Sequence, residues 1–225
     1  MLKAIIFDCD GVIVNSEPAH LAAFQKVLAE EGISLSRQEY LDRYLAMDDQ
    51  GCFRAVFSDH QRPLDETQLK ACLARKAGYY DTISRSEGVV FDGVEKFARA
   101  AAKHYPMAIA SGALRPEVLN AVRTAGIESC FKTIVTAEDV RRGKPDPESF
   151  QLALRRLGEL TGAVIGPSST LVFEDSKHGV FAAKAAGMKC VGVTTSYSAS
   201  ELSAADRIIG GFHEMTVEKA EDVCR

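Results

Sequence analysis

With 225 residues, 46% hydrophobic and 26% charged, the chain has room for about one and a half typical domains and enough apolar surface to bury a core. A net charge of −4 excludes the basic excess with which nucleic-acid binders grip phosphates, so any anion must be held locally. The six cysteines, Cys9, Cys52, Cys72, Cys130, Cys190 and Cys224, form no CxxC pair, which argues against a zinc site or a disulfide framework.

The chain opens with an apolar run, Ala4 to Phe7, that two carboxylates stop far short of a membrane span or a signal-peptide core. This predicts a cytoplasmic protein with no membrane partner. Further strand-length runs follow at Met107 to Ala110, Thr133 to Val135, Leu171 to Phe173, Cys190 to Val193 and Arg207 to Ile209. Between them lie helical patterns that end on glycine: Glu117 to Ala125 before Gly126, Pro147 to Leu157 before Gly158, and Lys177 to Ala186 before Gly187. Continuous apolar strands alternating with capped helices predict an α/β core whose parallel sheet is covered on both faces.

One stretch breaks the alternation. From Ser16 onward several amphipathic helices follow one another without a strand, and Leu21, Phe24, Val27 and Leu28 share one face of the first. Ser36 with Glu39, and Asp65 with Gln68, carry the spacing of capping boxes. Residues 16–86 are therefore expected to form a helical insert, with residues 1–15 and 87–225 as the α/β core and Ser86 to Gly93 as the return linker.

Four segments place chemistry at strand ends. Phe7-Asp8-Cys9-Asp10-Gly11 closes the first strand with carboxylates at i and i+2, which share a face on a regular strand. Ser111-Gly112-Ala113 offers a hydroxyl and flexible backbone for an anion. Gly143-Lys144-Pro145-Asp146-Pro147 sets a lysine before a helix, and Phe173-Glu174-Asp175-Ser176 sets two acids after a strand. Each segment alone is equally readable as an ordinary polar turn. Four in one sheet are not a coincidence of turns.

In order and spacing these segments resemble the haloacid dehalogenase-like hydrolase superfamily, in the branch with a helical cap inserted after the first motif. The resemblance covers essentially the whole chain. It implies a Rossmann-like core with an inserted α-helical cap domain, a Mg²⁺ cofactor and an aspartyl-phosphate intermediate. It assigns Asp8 as nucleophile and Asp10 as acid and base, with Ser111, the Gly112 amide and Lys144 holding the phosphoryl group. Asp8, the Asp10 backbone carbonyl and Asp175 would ligate the metal, with Glu174 beside them. In the cap, Glu17, His20, Asp49 and Lys76 are candidate specificity residues, although Asp48 or Asp49 is also placed to cap a helix. The cap is expected to close over the site and exclude water.

Charge supports the same chemistry without the name. Asp8, Asp10, Glu174 and Asp175 face a single Lys144, and a phosphate ester adds more negative charge. Such an array calls for a hard dication with oxygen ligands. The expected partner is a small phosphorylated metabolite of the sugar or polyol class, acted on by a monomer or weak homodimer. A non-enzymatic phosphoryl receiver is about half this length and has no insert. A dehalogenase is not expected to keep Asp10 and the acidic pair, and phosphonate hydrolysis needs a Schiff-base lysine that the first cap turn lacks. A sugar phosphomutase shares the four core motifs, but its cap must grip a second phosphate, and Leu45-Ala46-Met47-Asp48-Asp49-Gln50 supplies two acids and no cation, leaving Arg54 one turn on.

Overall fold

The computed structural model describes every residue except Ala46 and Gly88. The chain divides into two compact units, one of Met1–Asn15 with Val89–Arg225 and one of Ser16–Gly88.

The first unit is built on a six-stranded parallel sheet. Its strands are β1 (Ala4–Phe7), β4 (Met107–Ala110), β5 (Thr133–Val135), β6 (Thr170–Glu174), β7 (Lys189–Val193) and β8 (Arg207–Ile209), in the order β5-β4-β1-β6-β7-β8. A separate two-stranded antiparallel ribbon pairs β2 (Val14–Asn15) with β3 (Val89–Val90). From β1 the chain steps outward through β4 and β5, then returns to the other side of β1 for β6. The order therefore reverses beside β1, and in such sheets ligands bind outside the carboxyl ends of the strands at the reversal.

Alternate residues on the strands feed opposite faces. Ile5, Phe7, Ile109, Leu171, Phe173 and Val191 enter one core with α5 (Val94–Ala101) and α6 (Arg115–Thr124). Ala4, Ile6, Ala108, Val172 and Cys190 enter the other with α7 (Glu148–Thr161) and α8 (Lys177–Ala185). Phe7 and Phe173 are fully buried, and their ring centroids stand 5.1 Å apart. Burying one such side chain stabilises the fold by about 1.5–3 kcal/mol, which fixes the strand residues directly before Asp8 and Glu174.

The sequence misjudges three details here. Gly158 does not end its helix: α7 continues to Thr161, and Gly162, with φ +66°, takes the left-handed C-cap. A glycine inside a helix costs only about 1 kcal/mol, so it does not stop one whose buried face is still being satisfied. The helix before the return to the core runs to Glu87, past the Ser86 at which the linker was expected to begin, and part of that linker, Gly88, lies outside the described residues. The two-residue ribbon is too short to leave a periodic signal.

The second unit holds α1 (Glu17–Glu30), α2 (Arg37–Arg43), α3 (Asp49–Asp59) and α4 (Glu66–Glu87). Leu21, Phe24, Val27, Leu28, Phe53 and Phe57 form its core. Ser36, Asp48 and Asp65 cap their helices by accepting the amides of Glu39, Gly51 and Gln68. All six cysteines are free and buried. Among the described residues no helix is long and apolar enough to cross a membrane.

Candidate active site

Strand geometry ends at Phe7, so the shared-face argument for Asp8 and Asp10 does not apply. Instead the Cys9 carbonyl accepts the amides of Val12, Ile13 and Val14, curling Asp8 to Val14 into a tight turn. Asp8 stays tied to the sheet, its amide donating to the Phe173 carbonyl at 2.9 Å. The Asp8 side chain is buried and Asp10 is half-buried, and the charge of Asp10 contributes to the shift of Asp8. Gly11 turns the backbone at φ +74°, and a Cβ there would stand 1.9 Å from Asp175 Oδ2. The Asp175 carboxylate thus fills the space that the missing side chain leaves.

Lys144 joins the ends of two strands. Its Nζ donates to Asp8 Oδ1 at 2.7 Å and to Glu174 Oε1 at 2.6 Å, above the Phe150 ring. The other Glu174 oxygen, Oε2, accepts the amide and hydroxyl of Ser176 at 2.9 and 3.0 Å. Ser176 also caps α8 by accepting the Gly179 amide. A Cβ on Gly179 would fall 1.7 Å from Glu174 Oε1, so this glycine makes room for the carboxylate.

Asp8, Glu174 and Asp175 each offer an oxygen within 4.8 Å of the others, and all three are buried. Burial pushes the Asp8 carboxyl up to about 7 against the pull of Lys144, with Glu174 and Asp10 adding to the rise. Burial likewise raises Asp175 well above the carboxylate range, with Glu174 and Asp8 contributing. The Lys144 pKa is raised as well: burial disfavours its charge, but Asp8 and Glu174 outweigh burial and hold it protonated. Three buried carboxylates against one lysine leave a deficit of positive charge. The donors are all oxygen, so the cluster fits a hard divalent cation.

The remaining core candidates stand at the same sheet edge. Ser111 follows β4, whose Ile109 registers with Phe7, and its buried hydroxyl accepts the Ala113 amide at 3.0 Å. Gly112 is exposed, and a Cβ on it would meet nothing within 4 Å. Asp8, Lys144, Glu174 and Asp175 are thus drawn into direct contact or a common cluster. The Asp10 carboxylate is not a member of that cluster.

The second unit gathers three of its four candidates. Lys76 on α4 is only 1% exposed, and its Nζ contacts His20 Nδ1 at 2.7 Å and both Asp49 oxygens at 2.8 Å. The Phe24 and Tyr80 rings lie about it at 5.0 and 5.1 Å. Burial, with the Lys76 charge beside it, depresses His20 to about 3, so the ring is neutral near pH 7. An ammonium can only donate, so Nδ1 accepts and the ring proton sits on Nε2. Glu17 is elsewhere engaged, accepting the Tyr40 hydroxyl at 3.0 Å. Asp48 caps α3, leaving Asp49 to Lys76, and Arg54 is ion-paired with Glu66. Of residues 46–50, Ala46 lies outside the described residues, and Asp49 and Gln50 belong to α3 and not to a loop.

Sequence reasoning missed Gly179, Thr195 and Ser196. Thr195 Oγ1 donates to the Gly11 carbonyl at 2.5 Å, and the Ser196 side chain works against burial to favour the ionised form of Asp175. A signal existed: a hydroxyl-rich run, Thr194 to Ser200, follows the buried strand β7 at the edge where the acids lie.

The chain is similar in sequence and fold to several known proteins. A validoxylamine A 7'-phosphate phosphatase of Streptomyces hygroscopicus subsp. limoneus is 29% identical over 216 residues, 96% of each chain. A phosphorylated carbohydrates phosphatase of Thermotoga maritima is 27% identical over 84% of this chain and 83% of its own. The crystal structure of CbbY from Rhodobacter sphaeroides, in complex with phosphate, superposes with a TM-score of 0.83 at 25% identity, covering 98% of this chain and 100% of that one. The family model described as haloacid dehalogenase-like hydrolase matches residues 5–193, a span that runs from β1 through the insert to the end of β7 and takes in each of the four strand-end segments. The chain belongs to the haloacid dehalogenase-like hydrolase family.

Proposed function

We propose that the protein is a Mg²⁺-dependent phosphatase that hydrolyses a small sugar or polyol phosphate through a phosphorylated Asp8. The observation that carries this reading is the Asp8–Lys144–Glu174 bridge with Asp175 beside it, at the carboxyl ends of β1 and β6.

Lys144 orients Asp8 through Oδ1 and favours its ionised form, leaving Oδ2 to attack phosphorus. As that bond forms, the P–O bond to the substrate breaks, its electron pair stays on the leaving oxygen, and Asp10 protonates it. Asp10, now ionised, takes a proton from water. The resulting hydroxide attacks the phosphoryl group, breaks its bond to Asp8 and releases inorganic phosphate. Ser111 and the exposed Gly112 backbone hold the phosphoryl oxygens. Asp8, the Asp10 carbonyl and Asp175 would hold Mg²⁺, while Glu174 is kept beside them by Lys144 and Ser176. The ion, when bound, supplies the positive charge that lets these acids and a phosphate share one site.

The proposed substrate class is a single phosphate on a sugar or polyol body. Within the second unit the buried lysine is neutralised by Asp49 and the histidine is uncharged, so that cluster by itself is a hydrogen-bonding group rather than an anion grip. The two phosphatase relatives, named for a validoxylamine phosphate and for phosphorylated carbohydrates, support the same class. The test is phosphate release across a panel of sugar and polyol phosphates, with Mg²⁺ or with EDTA. Release in Mg²⁺ and silence in EDTA are expected. Efficient conversion of β-glucose 1-phosphate to glucose 6-phosphate in the presence of catalytic glucose 1,6-bisphosphate, with little phosphate released, would instead make the protein a mutase.

The metal reading also sets a pH dependence of stability. A carboxyl with a raised pKa binds protons more tightly folded than unfolded. Asp8 therefore contributes stability below its ordinary value of 3.8 that is lost as pH rises through about 7. Asp175 shifts in the same direction. Metal-free protein should lose Tm between pH 5 and pH 8, and saturating Mg²⁺ should raise Tm more at pH 8 than at pH 5, since protons compete for its ligands. Thermal melts at both pH values check this, and an equal or absent Mg²⁺ effect would contradict it.

A further inference from the structure

Three loops meet at the carboxyl ends of β1, β6 and β7: the first holds the Asp175 carboxylate of the second, and the third is hydrogen-bonded to the first. Gly11, at φ +74°, leaves the notch that the Asp175 carboxylate fills. From the loop after β7, Thr195 Oγ1 donates to the Gly11 carbonyl at 2.5 Å, across 184 positions of sequence. The hydroxyl therefore fixes the backbone of the catalytic turn, and with it the notch in which the carboxylate is lodged.

The loop is itself anchored at both ends. The Thr194 amide donates to the Ile209 carbonyl at 3.0 Å, continuing the sheet. Beyond Tyr197, the Ser198 amide and hydroxyl donate to Glu201 at 3.0 and 2.8 Å, and Glu201 pairs with Lys177 at 2.8 Å. The Lys177 ammonium also lies 5.4 Å from the centroid of the Tyr197 ring. A hydroxyl held on so fixed a segment positions its partner instead of following it.

We infer that Thr195 is a positioning residue for the acidic site, locking the Gly11 turn, and with it the notch that holds the Asp175 carboxylate, into the placement that metal binding requires. The inference rests on the phosphatase reading above. A carboxylate that ligates a metal must be held in one orientation, and groups that hold such ligands typically contribute about ten- to a hundredfold to metal affinity or activity.

The test is Thr195→Val, which keeps the branched shape and removes the hydroxyl, with Thr195→Ser as the conservative partner. Mg²⁺ is titrated calorimetrically into the full chain without substrate, so the result does not depend on turnover. Thr195→Val should weaken Mg²⁺ binding about tenfold and lower kcat with KM little changed, and Thr195→Ser should restore both. A Thr195→Val protein that melts earlier yet binds Mg²⁺ as tightly as wild type would reduce the hydroxyl to a structural role and overturn the inference. Wild-type protein that binds Mg²⁺ but hydrolyses no phosphate ester would overturn the functional reading, while the comparison of Mg²⁺ affinities would still decide the positioning role. Wild-type protein that takes up no Mg²⁺ would overturn both.

Discussion

Asp8→Asn protein should bind substrate, melt normally and turn over on the order of 10⁵-fold more slowly, the scale of loss when an enzyme is deprived of its nucleophile. The amide has the shape of the carboxylate but cannot form the acyl phosphate. Its effect on stability separates loss of chemistry from loss of fold. In the metal-free protein the buried Asp8 carboxyl is pushed up to about 7, so its ionisation opposes folding at pH 8. The neutral amide carries no such penalty, and Lys144 keeps Glu174 as its partner at 2.6 Å. Metal-free Asp8→Asn protein should therefore melt no lower than wild type at pH 8. A variant that folds and retains a substantial share of wild-type phosphate release would remove Asp8 from the role of nucleophile.

The second large effect is expected at Asp10. Asp10→Asn should lower kcat on an alkyl phosphate by about 10²- to 10⁴-fold, because the departing alkoxide is strongly basic and needs the proton. p-Nitrophenolate leaves without one. The first step on p-nitrophenyl phosphate should then survive, while the second slows for want of a base to activate water. Steady-state rates on the two esters, together with a burst of p-nitrophenolate on the aryl ester, read this difference. Equal losses on both with no burst would argue that Asp10 supports the fold of the turn and moves no proton.

The parts of this protein that could be read in its sequence are those in which cause and effect are close in the chain. The four central strands β1, β4, β6 and β7 are buried on both faces, so they appear as short apolar runs such as Ile5 to Phe7 and Val172 to Phe173. Helix starts at Ser36 and Asp65 depend on side chains three residues from the amides they satisfy. The acids of the site were visible because they cluster at or just past the carboxyl ends of buried strands, where the polarity changes abruptly. Legibility ends where partners are remote. Nothing near Lys76 in sequence announces that Asp49, 27 positions away, neutralises it. Thr195 and Gly11 are linked by fold topology alone, and Gly179 matters because of a carboxylate on the preceding strand. The Asp8 to Val14 turn misled for a related reason: carboxylates at i and i+2 imply a strand, but the Cys9 carbonyl gathers three amides and bends the backbone out of it.

The central claim is that a phosphoryl group passes through Asp8, and the accumulating intermediate of Asp10→Asn protein allows it to be seen. The protein is mixed with p-nitrophenyl phosphate and Mg²⁺, quenched in acid during the burst, digested and analysed by mass spectrometry. The account predicts one added phosphoryl group on the N-terminal peptide, localised to Asp8 and absent from the Asp8→Asn,Asp10→Asn double variant. A burst without phosphorylated protein, or a phosphoryl group localised to Ser111 or another residue, would contradict it.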